Sequence, residues 1–450
     1  MYKLLVLCEY FAPENLIAAI RPTKLAKYLS LSGEFDVTVV CKKQRTKVID
    51  TVLLDDTKYI NKIVYIENSR FVKFILDNFD HLLNIYSKSL ENSKPSLVNI
   101  NERAGRLSFK RKVFDYIKEK IKILNSKDFA SVAYKAIKRE LNYDFVFTTY
   151  GPMGANYLVK KIKEKKPEIK WIADFRDQVV SPFAIKSVVK EGEKILKYTA
   201  LKADYVTAVS QGVIDSLILP ENKQSEVITN GYDINDFEKM SDKVSDRNDK
   251  FTLTYTGALY RGRRDLTVLF KLFRELAEEG LIELEKVRIV YAGDGLEVLL
   301  GQAEPFGLEK IIEDNGFVER KEALQLQMSC DILLLASWNT SGNTGIVTGK
   351  FLEYMMMDKP IICLICGEIP NSKLKEMITL AENGICYEQA ADEKDYVRLK
   401  DYILKQYNLW KEGLELEYRP NKEYISQFNY SNISQRVSNI FINLKAGFKK

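Results

Sequence analysis

Short runs rich in β-branched and aromatic residues recur along this 450-residue chain, separated by stretches whose apolar positions follow helical spacing. In the first half they read KLLVL, DVTVVC, DFVFTTY, KWIADF, DYVTAVS and EVITN; in the second, FTLTYTG, VRIVYAG, DILLLAS and PIICLI. Apolar throughout rather than alternating, they have the look of strands covered on both faces, and their alternation with helices predicts repeated βαβ units. The length exceeds what one core sustains, so two doubly wound α/β domains are expected. Residues 233–250, DINDFEKMSDKVSDRNDK, have almost nothing to bury and are the expected linker.

With 46% hydrophobic and 29% charged residues, the composition excludes wholesale disorder and fibrous classes. No apolar run reaches the ~18 residues of a membrane span. The opening run is cut off by Glu9 and Pro13, which marks a first strand rather than a signal peptide and predicts a cytoplasmic protein. Six cysteines scattered through apolar runs suit reduced core thiols. The pair in CLIC has redox or zinc spacing, but no second pair accompanies it, and core packing is the preferred reading. His81 is the single histidine, so any metal site would need oxygen ligands, and no Asp-x-Asp occurs.

Residues 71–141 break the alternation. From Asn101 to Glu140, twelve Lys or Arg stand against five Asp or Glu, a surplus comparable with the +6 of the whole chain. Within it, FKRKVFDYIKEKIKIL (109–124) gathers Val113, Phe114, Ile117, Ile121 and Leu124 on one face of a basic amphipathic helix. Packing on its own domain and docking on an anionic membrane both fit that pattern.

Ligands of open parallel sheets bind beyond the carboxyl ends of the strands. Three stretches stand there. In TGIVTGKFLEYMMMDKP a glycine-containing loop enters a helix whose first amides attract an anion; Gly345 and Gly349 allow close approach, and Glu353, one turn inside, suits a ribose. In YTGALYRGRRDL a strand breaks at Gly257 and is followed by Arg261, Arg263 and Arg264, whose guanidinium groups match phosphate oxygens; Arg261 and Arg264 are the choices for a diphosphate. In WIADFRDQ, Asp174, Arg176 and Asp177 crowd a strand end, a costly arrangement unless they pair or meet a ligand.

The ordered set RPTKLAKYL, TTYGPMGANYL, IADFRDQ, ADYVTAVS, VITNGYD, YTGALY, YAGDG and GIVTGKFLEYMMMDKPI resembles the family-4 retaining glycosyltransferases, and more narrowly bacterial members that build capsule or other surface polysaccharide. The resemblance covers nearly the whole chain except 71–141. It implies a GT-B fold: two Rossmann-like domains facing across a cleft, here 1–235 on the acceptor side and 236–424 on the nucleotide-sugar side. A carboxyl-terminal helix, 425–450, would cross back to the first. The implied activity is metal-independent, retaining transfer from a nucleoside-diphosphate sugar, UDP being preferred, to a glycan or polyprenyl-linked acceptor. No cofactor or metal is expected, in keeping with the missing Asp-x-Asp, and no nucleic acid. Carried over by position, the resemblance implies a ribose on Glu353 and a diphosphate on Thr348, Gly349, Lys350 and Arg261 or Arg264. It puts Gly257, Gly293, Gly295, Phe317 and Val318 around the donor. Asp174, Arg176 and Asp177 would line the catalytic cleft, with Ala18, Ala19 and Arg21 nearby. Where the wider family pairs its second glutamate with another eight residues earlier, this chain has Gly345.

A nucleotide-sugar 2-epimerase shares the fold and is the alternative, although it usually draws on histidines that are scarce here. A dinucleotide-dependent oxidoreductase is disfavoured because YAGDG continues Leu296, Glu297, Val298 without completing Gly-x-Gly-x-x-Gly.

Overall fold

The computed structural model describes residues 1–43, 49–79, 100–179, 185–238, 248–341 and 346–447, with side chains of 100–112 excepted. The chain divides into two compact units: Met1–Ile49, Leu53–Thr229 and Ser434–Lys450, and Asp50–Val52 with Asn230–Ile433.

The first unit holds seven strands: β1 (Tyr2–Leu7), β2 (Phe35–Lys42), β3 (Lys62–Ile66), β4 (Phe145–Tyr150), β5 (Lys170–Phe175), β6 (Tyr205–Ala208) and β7 (Ser225–Val227). They lie in the order β3-β2-β1-β4-β5-β6-β7, every neighbouring pair parallel. Its core joins both ends of the sheet to helices, through Val146, Trp171, Leu158, Ile162 and Ile195 among others. The second unit repeats the plan with β8 (Phe251–Thr256), β9 (Val287–Ala292), β10 (Ile312–Asp314), β11 (Ile332–Trp338), β12 (Ile361–Cys366) and β13 (Gly384–Glu388), ordered β10-β9-β8-β11-β12-β13 and likewise parallel. Each sheet therefore reverses its order once, between β1 and β4 and between β8 and β11, and at such a reversal the loops diverge and leave room for a ligand. The completely buried strands β4 and β8 account for the unbroken apolar runs in the sequence.

The last helix, Tyr430–Ala446, is shared by the two units. From Ser434 onward it belongs to the first, where Phe441 packs against Phe35 and Phe145 with ring centroids 5.5 and 4.9 Å apart, and Lys445 pairs with Asp144 at 2.7 Å.

The predicted linker differs at its start. Residues Ile234–Glu238 form a short helix, and Asp233 and Asp236 are buried. Asp236 tolerates burial because Arg320 lies 3.2 Å away, a pairing that composition cannot reveal. Residues 239–247 lie outside the described residues, as does His81. The basic region is dominated by one helix, Ile100–Ile137. Its second half is anchored by Phe129, Ala130, Ala133 and Ile137, whereas Val113, Ile117 and Leu124 are exposed and Phe114 stacks on Phe79. All six cysteines are free thiols, five of them buried. Among the described residues no helix is long and apolar enough to cross a membrane.

Candidate functional site

In the first unit the ends of β1, β4 and β5 are tied together by charged side chains. Glu9, just past β1 and buried, accepts hydrogen bonds from the Gly154 amide and the Ser126 hydroxyl, both at 2.7 Å. A side chain at position 154 would collide with that carboxylate, its Cβ falling 2.4 Å from Glu9 Oε1, so the glycine is required by close approach. Asp174 is also buried. Its Oδ1 lies 2.6 Å from Arg21 Nη2 and its Oδ2 accepts from Arg21 Nε at 2.9 Å, while Thr207 and Thr149 complete its shell. Arg21 spends its remaining donors on the carbonyls of Thr229 and Ile228.

Asp174 and Arg21 thus form a closed internal pair with no exposed surface for a reactant, unlike the cleft-lining placement the resemblance implies. Arg176 donates to the carbonyls of Ala18, Tyr150 and Gly151, pinning the helix Ile17–Leu31 to the end of β4. Ala19 is buried and Ala18 half-buried. Of the acidic trio's two carboxylates, Asp177 alone is exposed. Glu14, half-buried nearby, has its carboxyl pushed up to about 7 by burial, with Lys42 opposing the rise and Glu9 adding to it.

The second unit brings most of the donor candidates together. At the end of β8 the chain turns at Gly257 with φ of +111°, and the Lys350 ammonium lies so close that a Cβ there would meet Nζ at 2.3 Å. The loop after β9 presses backbone against this turn: a Cβ on Gly293 would lie 2.3 Å from the Gly257 carbonyl oxygen. Gly293 and Gly295 therefore serve loop-to-loop contact first, with Gly295 entering the helix Leu296–Ala303 in left-handed conformation. Arg264 donates from Nη1 to the Ala258 carbonyl at 2.6 Å, stacks over Tyr260 and Trp338, and keeps a buried Nε with no partner among the described residues. Arg261 is exposed on the same turn.

From the β11 side comes the six-residue helix Gly349–Tyr354, whose start Thr348 caps by accepting from the Phe351 amide at 3.4 Å. Among the described residues Lys350 has no hydrogen bond or ion pair. Burial lowers its basicity, Glu353 counteracts that, and Arg264 adds to it. Glu353 Oε1 accepts from Gln327 Nε2 at 2.9 Å and Oε2 lies 3.7 Å from Arg320, which leaves the carboxylate 22% exposed, oriented and able to accept further hydrogen bonds. Phe317 is exposed and Val318 half-buried after β10. Gly345 falls in 342–345, outside the described residues.

Four side chains join this group that sequence reasoning did not assign. Arg320 sits among Asp236, Glu353 and Asp50; burial works against its charge, but those carboxylates outweigh it and raise the guanidinium above its usual range. Gln327 bridges Glu353 to the Thr256 hydroxyl at 2.9 Å. Ser337 Oγ, Trp338 Nε1 and Gln327 Oε1 are buried without a partner among the described residues. Position at the carboxyl end of a strand was the available signal for Ser337 and Trp338, and the loop after β10 for Arg320; nothing local marked Gln327, which lies inside a helix. Orphaned polar atoms beside an unpaired lysine, at the sheet's reversal, have the chemistry of a site that binds a polar anion.

Residues 250–403 match the family model described as Glycosyl transferases group 1. No curated protein matches the chain. Among solved structures, the sucrose-phosphate synthase of Thermosynechococcus elongatus aligns at 13% identity with a TM-score of 0.55, covering 100% of both chains. The α,α-trehalose 6-phosphate synthase of Burkholderia multivorans aligns at 10% identity and 0.56, covering 99% of this chain and 100% of its own. The UDP-GlcNAc 2-epimerase of Neisseria meningitidis, bound to UDP-GlcNAc, aligns at 11% and 0.52, covering 98% and 100%. Residues 250–403 thus resemble a group 1 glycosyltransferase domain, and the chain has the GT-B fold.

Proposed function

We propose that this protein is a metal-independent, retaining glycosyltransferase that moves a sugar from a nucleoside-diphosphate donor, UDP preferred, to a glycan or polyprenyl-linked acceptor of a surface polysaccharide. The observation that carries the reading is the convergence of unpaired Lys350, the free Nε of Arg264 and the orphaned Ser337 and Trp338 donors at the ends of β8 and β11, with Glu353 held beside them. When the bond from the anomeric carbon to the diphosphate breaks, negative charge accumulates on the departing oxygens. Two fixed cations in a partly dehydrated pocket stabilise that charge without reorganising. Glu353, oriented by Gln327 and Arg320, accepts the ribose hydroxyls. Exposed Asp177 is the member of the first unit's trio left to meet an acceptor, while Asp174 and Arg176 hold the strand ends in place.

A melting screen against UDP, GDP and ADP tests the donor assignment, because a ligand of the folded form present at 100 times its Kd adds about 2.7 kcal/mol. No shift with any of them removes the reading. The epimerase in the aligned set keeps a second reading in view; incubation with donor but no acceptor separates them, since only an epimerase then yields a new nucleotide sugar. The exposed Val113, Ile117 and Leu124 beside Lys118, Lys120 and Lys122 support peripheral contact with an anionic membrane. Equal retention on anionic vesicles after all three lysines are neutralised would return that helix to an ordinary surface role.

A further inference from the structure

The first unit contains a cavity away from the strand ends described above. It measures about 270 Å3 and lies among the helices Ile100–Ile137, Gly154–Lys165 and Lys186–Lys202, with Trp171 of β5 in its wall. Asn156 lines it and is only 5% exposed, yet among the described residues neither its amide nitrogen nor its carbonyl oxygen has a partner. The Thr199 hydroxyl is buried and unpartnered in the same wall. A buried amide offering donor and acceptor side by side, next to a free hydroxyl, calls for a ligand whose groups both donate and accept, as sugar hydroxyls do.

The cavity's charge is one-sided. Lys127 and Lys194 share Glu191, at 3.0 and 2.9 Å, and Tyr157 donates to the same carboxylate at 2.8 Å. Against the upward push of burial, those hydrogen bonds bring Glu191 down to about 2, so it stays ionised and cannot become a donor. Lys160 has no carboxylate partner among the described residues and lies 5.5 Å from the Tyr198 ring centre. Three lysines against one glutamate leave a positive surplus suited to a phosphate. The volume, at the lower end of ligand pockets, suits one sugar ring better than a nucleotide.

We propose that this cavity binds a phosphorylated monosaccharide, its hydroxyls on Asn156 and Thr199 and its phosphate on Lys160 and the neighbouring lysines. The proposal does not depend on the glycosyl-transfer reading. Calorimetric titration of the full chain with glucose 1-phosphate, glucose 6-phosphate, glucose and inorganic phosphate tests it, each run with and without UDP. At least one sugar phosphate should bind at submillimolar Kd, tenfold or more tighter than glucose or phosphate alone and unaffected by UDP. Asn156→Leu and Lys160→Ala should each weaken it at least tenfold, with Tm not lowered by Lys160→Ala. Should Asn156→Leu fail to fold, Lys160→Ala at the partly solvated rim carries the test. Affinity undiminished by Lys160→Ala, binding no tighter than that of phosphate alone, displacement by UDP, or no binding of either sugar phosphate overturns the proposal.

Discussion

Replacing Asp174 with Ala distinguishes a positioning role from a chemical one. The carboxylate is completely enclosed and receives two hydrogen bonds from Arg21 and one each from Thr149 and Thr207. Its removal leaves the Arg21 guanidinium buried without its carboxylate, while the carbonyls of Ile228 and Thr229 still accept from it. Breaking a buried pair from one side costs about 3–5 kcal/mol. For a unit of this size each kcal/mol lowers Tm by roughly 2–4 °C, so the first unit should melt roughly 6–20 °C lower. Scanning calorimetry reads the shift, and hydrogen exchange should locate the lost protection on β5 and its neighbours. The double variant Arg21→Met/Asp174→Leu, which removes both charges, should recover most of the loss. An Asp174→Ala protein with unchanged Tm and abolished transfer would refute this reasoning and place the carboxylate at the reacting atoms.

Three further outcomes are expected. Glu353→Ala should raise the donor KM and weaken UDP binding tenfold or more, roughly the 1.4 kcal/mol or more of hydrogen bonds to a charged acceptor, with little change in Tm; unchanged affinity would remove the ribose assignment. Gly257→Ala should weaken UDP binding as well, because the new Cβ both strains a φ of +111° and displaces the Lys350 ammonium; equilibrium titration showing wild-type affinity would contradict it. Glu14, raised from 4.5 to about 7, favours the protonated folded state, so its stabilising share is full below pH 4.5 and disappears as pH rises through about 7. Glu14→Gln should therefore flatten the decline of Tm across that window, and an unaltered slope would show that another group titrates there.

The strands that the sequence reveals are the ones buried on both faces. β1, β4, β8 and β11 announce themselves because nearly every position is buried and filled by apolar side chains or small hydroxyls, and that pattern implied two parallel sheets. The edge strand β10, IED, is short and mostly exposed and leaves no such run, whereas β3, KIVYI, carries an apolar run although it is only partly buried. β13 is mostly buried, but GICYE is brief and ends on Glu388, whose charge is neutralised by Lys375, 13 positions earlier. Much the same division holds for the site. Gly257, Arg264, Lys350 and Glu353 drew the expectation of a donor site because strand-end glycines and cations have a direct chemical meaning, and folding places them near one another. Asp174 with Arg21 looked equally suggestive in sequence, because local spacing cannot show that two charged residues 153 positions apart satisfy each other. Arg320 and Gln327 gain their roles only through contacts with Glu353 made by folding.

The central claim is that the ends of β8 and β11 hold a nucleoside diphosphate on protein cations and polar donors, without a divalent ion. A crystal structure of the full chain with a UDP-sugar, grown in chelator, tests it most directly. The expected result places diphosphate oxygens within hydrogen-bond distance of Lys350 and Arg264 and the ribose on Glu353. A nucleotide lodged elsewhere, or one that enters only after manganese is added, would contradict it.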